Sequence, residues 1–272
     1  MSDWRSDTMA PRKVNVLGWL RVVWRWLALA LVIYSCFVVL LLLRLIEAPL
    51  FGRNRPWTPK VNRFASRNGL RAMGIGFKVS GKPMKHKGAV VANHSSWLDI
   101  LVLSACQEIY FVSKAEVAKW PGIGILAKAT GTVFITRKST EAKRQQEIFE
   151  DRLTAGHKLM FFPEGTSTDS IRVLPFKSTL FQAFFSEALY RQLHVQPVTV
   201  VYHAPKGEDD RFYGWYGDMS FGAHILKVLS APRGGFVEVI FHPSVPVDAF
   251  TDRKTIAAHC ERVIAASHSK AQ

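Results

Sequence analysis

Cysteine is scarce. The chain has three, Cys36, Cys106 and Cys260, far apart and without a Cys-x-x-Cys pair. That excludes a disulfide framework and a zinc ribbon, and it fits a reducing compartment. Three catalytic signatures are also missing. There is no Gly-x-Ser-x-Gly elbow, no phosphate-cradling P-loop and no His-Glu-x-x-His pair, so a serine elbow, nucleotide hydrolysis and zinc-protease chemistry lose their sequence support. No internal repeat or low-complexity segment is present. Acidic side chains are in short supply: 21 Asp and Glu stand against 36 Lys and Arg in 272 residues, a formal charge of +15. Such an imbalance points to an anionic partner, either nucleic acid or a membrane surface.

What the chain does have is one long apolar run. Trp26 to Leu43 carries no charged residue, which is long enough for a membrane helix at the lower limit. Arg21 and Arg25 precede it; Arg44, Arg53, Arg55, Lys60, Arg63 and Arg67 follow, and Trp19, Trp24, Trp26 and Trp57 flank it like interfacial anchors. Cations on both sides leave orientation undecided, and either a bilayer span or a dip into one leaflet fits. A cleaved signal peptide does not, because Arg44 and Glu47 stand where a small-residue exit belongs. Next, Pro59 to Met73 spaces Lys60, Arg63, Arg67 and Arg71 by three or four with Phe64 and Leu70 between them. That pattern predicts a basic amphipathic helix on anionic headgroups. The basic residues cluster around this apolar anchor, which favours lipid over nucleic acid as the partner. Residues 1–18 read as a tail, mobile over Met1 to Lys13, and 19–73 as anchor and docking helices.

From 74 to 272 strands alternate with helices. Candidate strands are Gly76–Ser80, Ala89–Ala92, Ile109–Val112, Thr132–Ile135, Lys158–Phe162, Val195–Val201 and Phe236–Phe241, short and rich in Val, Ile and Phe. Ser139 to Leu153 reads as a helix capped by Ser139 or Thr140, with Gly156 beyond its end. Pro205 to Ser230 reads as loop with a helix. The alternation predicts an α/β fold: a mostly parallel sheet with flanking helices, preceded by hydrophobic amino-terminal membrane helices.

Chemistry concentrates at three places. The run Val90-Val91-Ala92 delivers Asn93-His94, and Asp99 follows five residues after His94. If a turn intervenes and Asp99 enters the first turn of a helix, its carboxylate reaches back to the imidazole. It then fixes the tautomer and makes His94 a general base. On these residues alone, an ordinary loop histidine beside an exposed aspartate fits equally. Gly131 to Arg137 reads as a strand ending in a guanidinium able to fork onto a phosphate, with a plain surface arginine as the alternative. Phe161-Phe162-Pro163-Glu164-Gly165-Thr166-Ser167 runs a strand into a turn where Gly165 permits positive φ and the N–H groups of Gly165, Thr166 and Ser167 form an anion nest. There Glu164 is placed to bond a substrate hydroxyl; an ordinary strand-ending turn is the alternative. Val195-Gln196-Pro197-Val198 supplies a strand whose side chains pack rather than react. No Ser or Cys nucleophile is visible, so direct attack by a substrate hydroxyl is the simpler scheme.

These four elements, in this order, resemble the glycerolipid acyltransferases of the lysophosphatidate (1-acylglycerol-3-phosphate) acyltransferase type, over about Gly81 to Val201. The resemblance implies an acyltransferase catalytic domain. In it His94, oriented by Asp99, deprotonates a lysolipid hydroxyl that attacks the thioester of acyl carrier protein or coenzyme A. Arg137 and the Glu164, Gly165 and Thr166 turn would position the acceptor. It implies no cofactor and no metal, and a place on the cytoplasmic face of a bacterial inner membrane. Two positions depart from the pattern. The family usually has Arg where this chain has Ser167, and Phe-Lys-x-Gly where it has Phe176-Lys177-Ser178-Thr179. The lost arginine weighs against a phosphate-bearing acceptor, unless Arg172 or Lys177 replaces it. Arg172 to Ser178 and Gly217-Asp218-Met219 look like the bacterial lyso-ornithine lipid O-acyltransferase branch, whose acceptor carries no phosphate. Lysophosphatidate, alone or as a second acceptor, is the next expectation; a lipid hydrolase with His94 activating water, and a membrane-docked binding module, are the competing classes.

Overall fold

The computed structural model describes residues 4–7, 12–52, 54–136, 142–187 and 189–272. Along the chain run α1 (Val16–Phe51), α2 (Thr58–Ala72), β1 (Gly76–Ser80), β2 (Gly88–Ala92), α3 (Leu98–Cys106), β3 (Tyr110–Lys114), α4 (Ile123–Thr130), β4 (Val133–Ile135), α5 (Ala142–Thr154), β5 (Leu159–Phe161), β6 (His194–His203), α6 (Phe221–Ser230), β7 (Phe236–Phe241), β8 (Val245–Pro246) and α7 (Arg253–Ala271). The seven expected strands are all present, with ends shifted by at most two residues. Arg53, Arg137, Ser139 and Thr140 lie outside the described residues.

The strands form one sheet in the order β1-β7-β6-β2-β5-β3-β4, with β8 paired to β6. Pairing is parallel except where β6 meets β7 and β8. Strand β2 lies in the middle and is buried along its whole length, which is why Ala89-Val90-Val91-Ala92 is apolar without alternation. Val90 and Ala92 face one core with Leu98, Val102, Val198, Val200 and Val239. Ala89 and Val91 face the other with Phe161, Phe181, Val195, Ile256 and Ile264. Gly88 opens β2 at φ +143°, and a Cβ there would stand 1.8 Å from the His194 carbonyl oxygen, so only glycine lets the two strands meet.

Helix α1 is capped by the Asn15 side chain, which accepts the Gly18 N–H at 2.8 Å. Gly18, Leu29, Cys36, Leu40 and Glu47 form its buried stripe. It is long and apolar enough to cross a membrane, yet only 17% of its most apolar stretch is buried. A soluble core helix would be mostly covered, so the bare apolar surface marks membrane association.

Arginines fasten this amino-terminal part to the sheet domain. Arg25 donates to Leu229 and Ala231 carbonyls at the end of α6. Arg55 donates to Ala129 near the end of α4. Arg67, at 2.8 Å, and Arg63, at 3.4 Å, donate to Ala105 at the end of α3. Cations are favoured at helix carboxyl ends. The basic face expected on Pro59 to Met73 is therefore divided: Arg63 and Arg67 turn into the fold, while Lys60, Phe64 and Arg71 stay exposed. The tail is docked where it is described. The Trp4 ring meets Tyr216 with the Arg172 guanidinium 4.9 Å over it, and Asp7 pairs with Arg211.

Glu47 closes the turn between α1 and α2. Its fully buried carboxylate accepts from Trp57 N (2.7 Å), Thr58 N (3.0 Å) and the Thr58 hydroxyl (2.6 Å). It thereby caps a helix whose own cap residue offers no side-chain acceptor. Glu47→Ala strands these donors and is expected to cost about 1–3 kcal/mol, read as a lower Tm in detergent. An unchanged Tm would show that α2 starts without this cap.

Candidate active site

Open α/β sheets bind ligands beyond the carboxyl ends of their strands. Here β2 and β5, parallel neighbours, end in the two sequence motifs. Asn93 and His94 leave β2; Phe162-Pro163-Glu164-Gly165 leaves β5. The turn Ser95-Ser96-Trp97 brings the chain into α3, with Asp99 in its first turn.

His94 Nδ1 and Asp99 Oδ2 lie 2.7 Å apart. The same oxygen accepts the N–H of Ser95 (2.8 Å) and Ser96 (3.0 Å), so the five-residue spacing closes as a carboxylate-bridged turn. The other oxygen, Oδ1, accepts the Tyr202 hydroxyl at 2.6 Å. Asp99 is fully buried while the His94 side chain is 19% exposed. The imidazole stacks on Phe162, centroids 4.1 Å apart and 9° from parallel. Asp99 thus holds one ring nitrogen and fixes the orientation of the imidazole.

The main chain of His94 is held on both sides by the second motif. Its N–H donates to Glu164 Oε1 at 2.6 Å, and its carbonyl accepts Thr168 N at 2.9 Å and the Thr168 hydroxyl at 3.2 Å. Glu164 Oε2 accepts Leu174 N at 2.8 Å. With both oxygens taken by backbone N–H and 2% exposure, Glu164 shapes the His94 loop. Burial pushes its carboxyl up to about 8, against the pull of the two N–H donors, and the Asp99 and Glu261 carboxylates add to the rise.

The turn keeps the expected positive φ but not the expected anion nest. Gly165 has φ +72°, and its N–H donates to the Phe162 carbonyl rather than into an anion nest. Thr166 is exposed. Lys177 is exposed too, its Nζ 3.1 Å from where a Gly165 Cβ would stand. Ser167 donates to the Trp215 carbonyl, and Trp215 N donates to the Ser95 carbonyl. The hydroxyl at the departing position therefore closes a loop instead of facing a ligand. Arg172 is forked onto Asp169, with Nε to Oδ2 at 2.9 Å and Nη2 to Oδ2 at 2.8 Å. Arg137 lies outside the described residues. Among the described residues no cluster of His, Cys, Asp and Glu could hold a metal.

Asn93, Thr168 and Tyr202 went without a role in the sequence reading. Asn93 clamps β6, donating to the Val200 carbonyl and accepting its N–H, both at 2.8 Å. The alternation Val198, Val200, Tyr202 pointed one residue beyond the expected strand end, toward the same loop.

A family model described as Acyltransferase matches residues 76–201. A lyso-ornithine lipid O-acyltransferase of Rhodobacter capsulatus is 53% identical over 262 residues, 96% of this chain and 95% of the relative. The chain belongs to the acyltransferase family. A second lyso-ornithine lipid O-acyltransferase, from Brucella abortus, is 36% identical over 77% of this chain and 82% of its own length. The solved 1-acyl-sn-glycerophosphate acyltransferase of Thermotoga maritima shares the fold, with TM-score 0.67 and 20% identity over 93% of this chain and 95% of that one. The protein is thus a membrane-associated acyltransferase that takes an acyl donor and a lysolipid acceptor.

Glu164→Gln turns one acceptor oxygen into an NH2 group facing a main-chain N–H. It is expected to cost about 1–3 kcal/mol of stability and most of the activity. The neutral Glu164 carboxyl stabilises the fold fully below the unfolded value near 4.3, and this contribution is lost as pH rises through about 8. The stability advantage of wild type over Glu164→Gln should therefore shrink from about pH 5 to about pH 8. A gap that stays constant would mean Glu164 is already ionised in the folded protein.

Proposed function

We propose that this enzyme transfers a fatty acyl group from a thioester donor to the free hydroxyl of lyso-ornithine lipid, with His94 as general base. The observation that carries the reading is the His94–Asp99 pair, one nitrogen held by a buried carboxylate and the other left for substrate. His94 Nε2 takes the proton of the acceptor hydroxyl as its oxygen attacks the thioester carbonyl. Asp99 stabilises the imidazolium formed. The tetrahedral intermediate collapses, the thiolate leaves, and the imidazolium returns the proton to it. No acyl-enzyme is required. The donor is the thioester of acyl carrier protein, with coenzyme A as its substitute.

The acceptor assignment rests on the missing arginine. Ser167 supplies no charge and its hydroxyl is engaged by Trp215. Arg172 is engaged by Asp169. Lys177 over the Gly165 turn is a cation suited to a single carboxylate such as that of an ornithine head. The relatives from Rhodobacter capsulatus and Brucella abortus are named for this acceptor.

The docked stripe of α1 supports a helix lying along the membrane face. Thirty-six residues extend about 54 Å, and buried positions recur from Gly18 to Glu47. A span crossing the bilayer would drag the core contacts of Leu29 into hydrocarbon. We take 19–73 as the docking unit and 74–272 as the catalytic domain, on the cytoplasmic face of a bacterial inner membrane where acyl carrier protein is available.

The test is acyl transfer in membranes from acyl carrier protein thioester to lyso-ornithine lipid or lysophosphatidate, beside His94→Ala. Transfer to lyso-ornithine lipid, lost by at least about a hundredfold in His94→Ala, is expected. Transfer mainly to lysophosphatidate would reassign the acceptor, free fatty acid alone would make the enzyme a hydrolase, and a fully active His94→Ala would remove the base. Lys177→Ala is expected to raise KM for the acceptor severalfold with kcat kept; an unchanged KM would remove Lys177 from the site.

A further inference from the structure

Strand β6 is twice the length of its neighbour β2, and the excess is all at the end nearest the site. The register pairs Ala92, the last residue of β2, with Val198. Val200 and Tyr202 therefore stand beside the loop that carries His94. The Asn93 side chain grips both polar groups of the Val200 main chain, fixing how far β6 extends past the sheet. Tyr202, 4% exposed, then meets Asp99, 0% exposed.

Asp99 holds a lopsided set of donors. Oδ2 receives His94 Nδ1 and two main-chain N–H groups. Oδ1 receives the Tyr202 hydroxyl at 2.6 Å. A buried carboxylate needs donors on both oxygens to remain ionised. The Tyr202 ring lies 5.4 Å from Tyr213, and Asp99 is the charged group it meets. Burial, with the neighbouring carboxylate, holds the phenol well above its ordinary value, so it stays a proton donor across the working pH range.

We infer that Tyr202 is a positioning residue of the catalytic pair: its hydroxyl fixes the Asp99 carboxylate so that Oδ2 faces His94, and it tempers the charge that His94 feels. This rests on His94 as the base. By its hydrogen bond the phenol shares the carboxylate's charge. By filling Oδ1, it prevents the carboxylate from rotating away.

The experiment compares wild type, Tyr202→Phe and Val200→Ala in detergent, with acyl carrier protein thioester and lyso-ornithine lipid. Tyr202→Phe keeps the ring and removes the hydroxyl. A fall in kcat of about ten- to a hundredfold is expected, with little change in either KM. The acid limb of kcat/KM, which reports the free enzyme's base, should move to higher pH because an untempered carboxylate holds the imidazolium more tightly. Val200→Ala removes neighbouring packing, and is expected to lower Tm without moving the limb. Wild-type kcat and limb in Tyr202→Phe would overturn the inference, as would a loss of kcat with the limb in place. If His94→Ala is inactive while Tyr202→Phe behaves as wild type, the base stands and only the role of Tyr202 fails. If His94→Ala is active, the reading beneath it has failed.

Discussion

A carboxylate sealed from water has to be satisfied by the protein, and Asp99 is such a carboxylate. Its four donors come from two distant parts of the chain: the loop after β2, which supplies the His94 imidazole and the Ser95 and Ser96 N–H groups, and the far end of β6. Bringing them together requires β6 to lie beside β2 in one particular register. It also requires α3 to start at the turn that aims Asp99 backward. The desolvation cost of an unpaired charge in that position is several kcal/mol, so a slip of one residue is strongly disfavoured. Glu164 solves a similar problem from the other side. Its oxygens take the N–H groups of His94 and Leu174, and the loop after β5 thereby braces the loop after β2.

Much of this was legible because it follows from local pattern. Buried parallel strands are short apolar runs, and those runs marked every strand from β1 to β7. The His94–Asp99 contact was only half legible: a strand end, a turn and a helix start allow it, but an exposed aspartate fitted the five-residue spacing equally until the family resemblance favoured the pair. Glu164 was found but its use was not, since only the fold reveals that its oxygens meet main-chain N–H groups from distant sequence. Tyr202 stayed hidden because its partner is 103 residues away, and nothing in Val-Val-Tyr-His distinguishes a hydroxyl that packs from one that bonds a carboxylate. Ser167 stood out in the sequence because it carries no charge where the family has arginine. The structure adds that its single hydrogen bond is directed to Trp215.

Net charge was a blunter guide. It pointed to an anionic surface, and the apolar helix does mark membrane association. Yet several of the arginines counted toward that surface are structural. Arg25, Arg55, Arg63 and Arg67 direct their guanidinium groups to carbonyls at the ends of α6, α4 and α3. A guanidinium suits this use: it is always charged, and its planar donors match free carbonyls at a helix end. The charge excess thus partly reflects how the amino-terminal helix pair is bolted to the sheet domain.

That attachment has a consequence for the site. Arg25 joins α1 to the end of α6. Within α6, the His224 Nδ1 accepts the Trp97 indole N–H at 2.9 Å, and burial lowers His224 to about 3, so it stays a neutral acceptor at any working pH. Trp97 stands between His94 and Asp99 in sequence and starts α3. A short line of contacts therefore runs from the apolar helix α1 through α6 to the turn that sets the His94–Asp99 pair. Phe221 and Trp215 meet edge to face along it, and Trp215 N holds the Ser95 carbonyl. An acceptor lipid has its hydroxyl at a depth fixed by the bilayer. On the proposed reading of His94 as the base, the enzyme gains by having that imidazole tied rigidly to the apolar helix that associates with the membrane. The aromatic contacts and the neutral histidine supply that rigidity without adding a charge beside the His94–Asp99 pair.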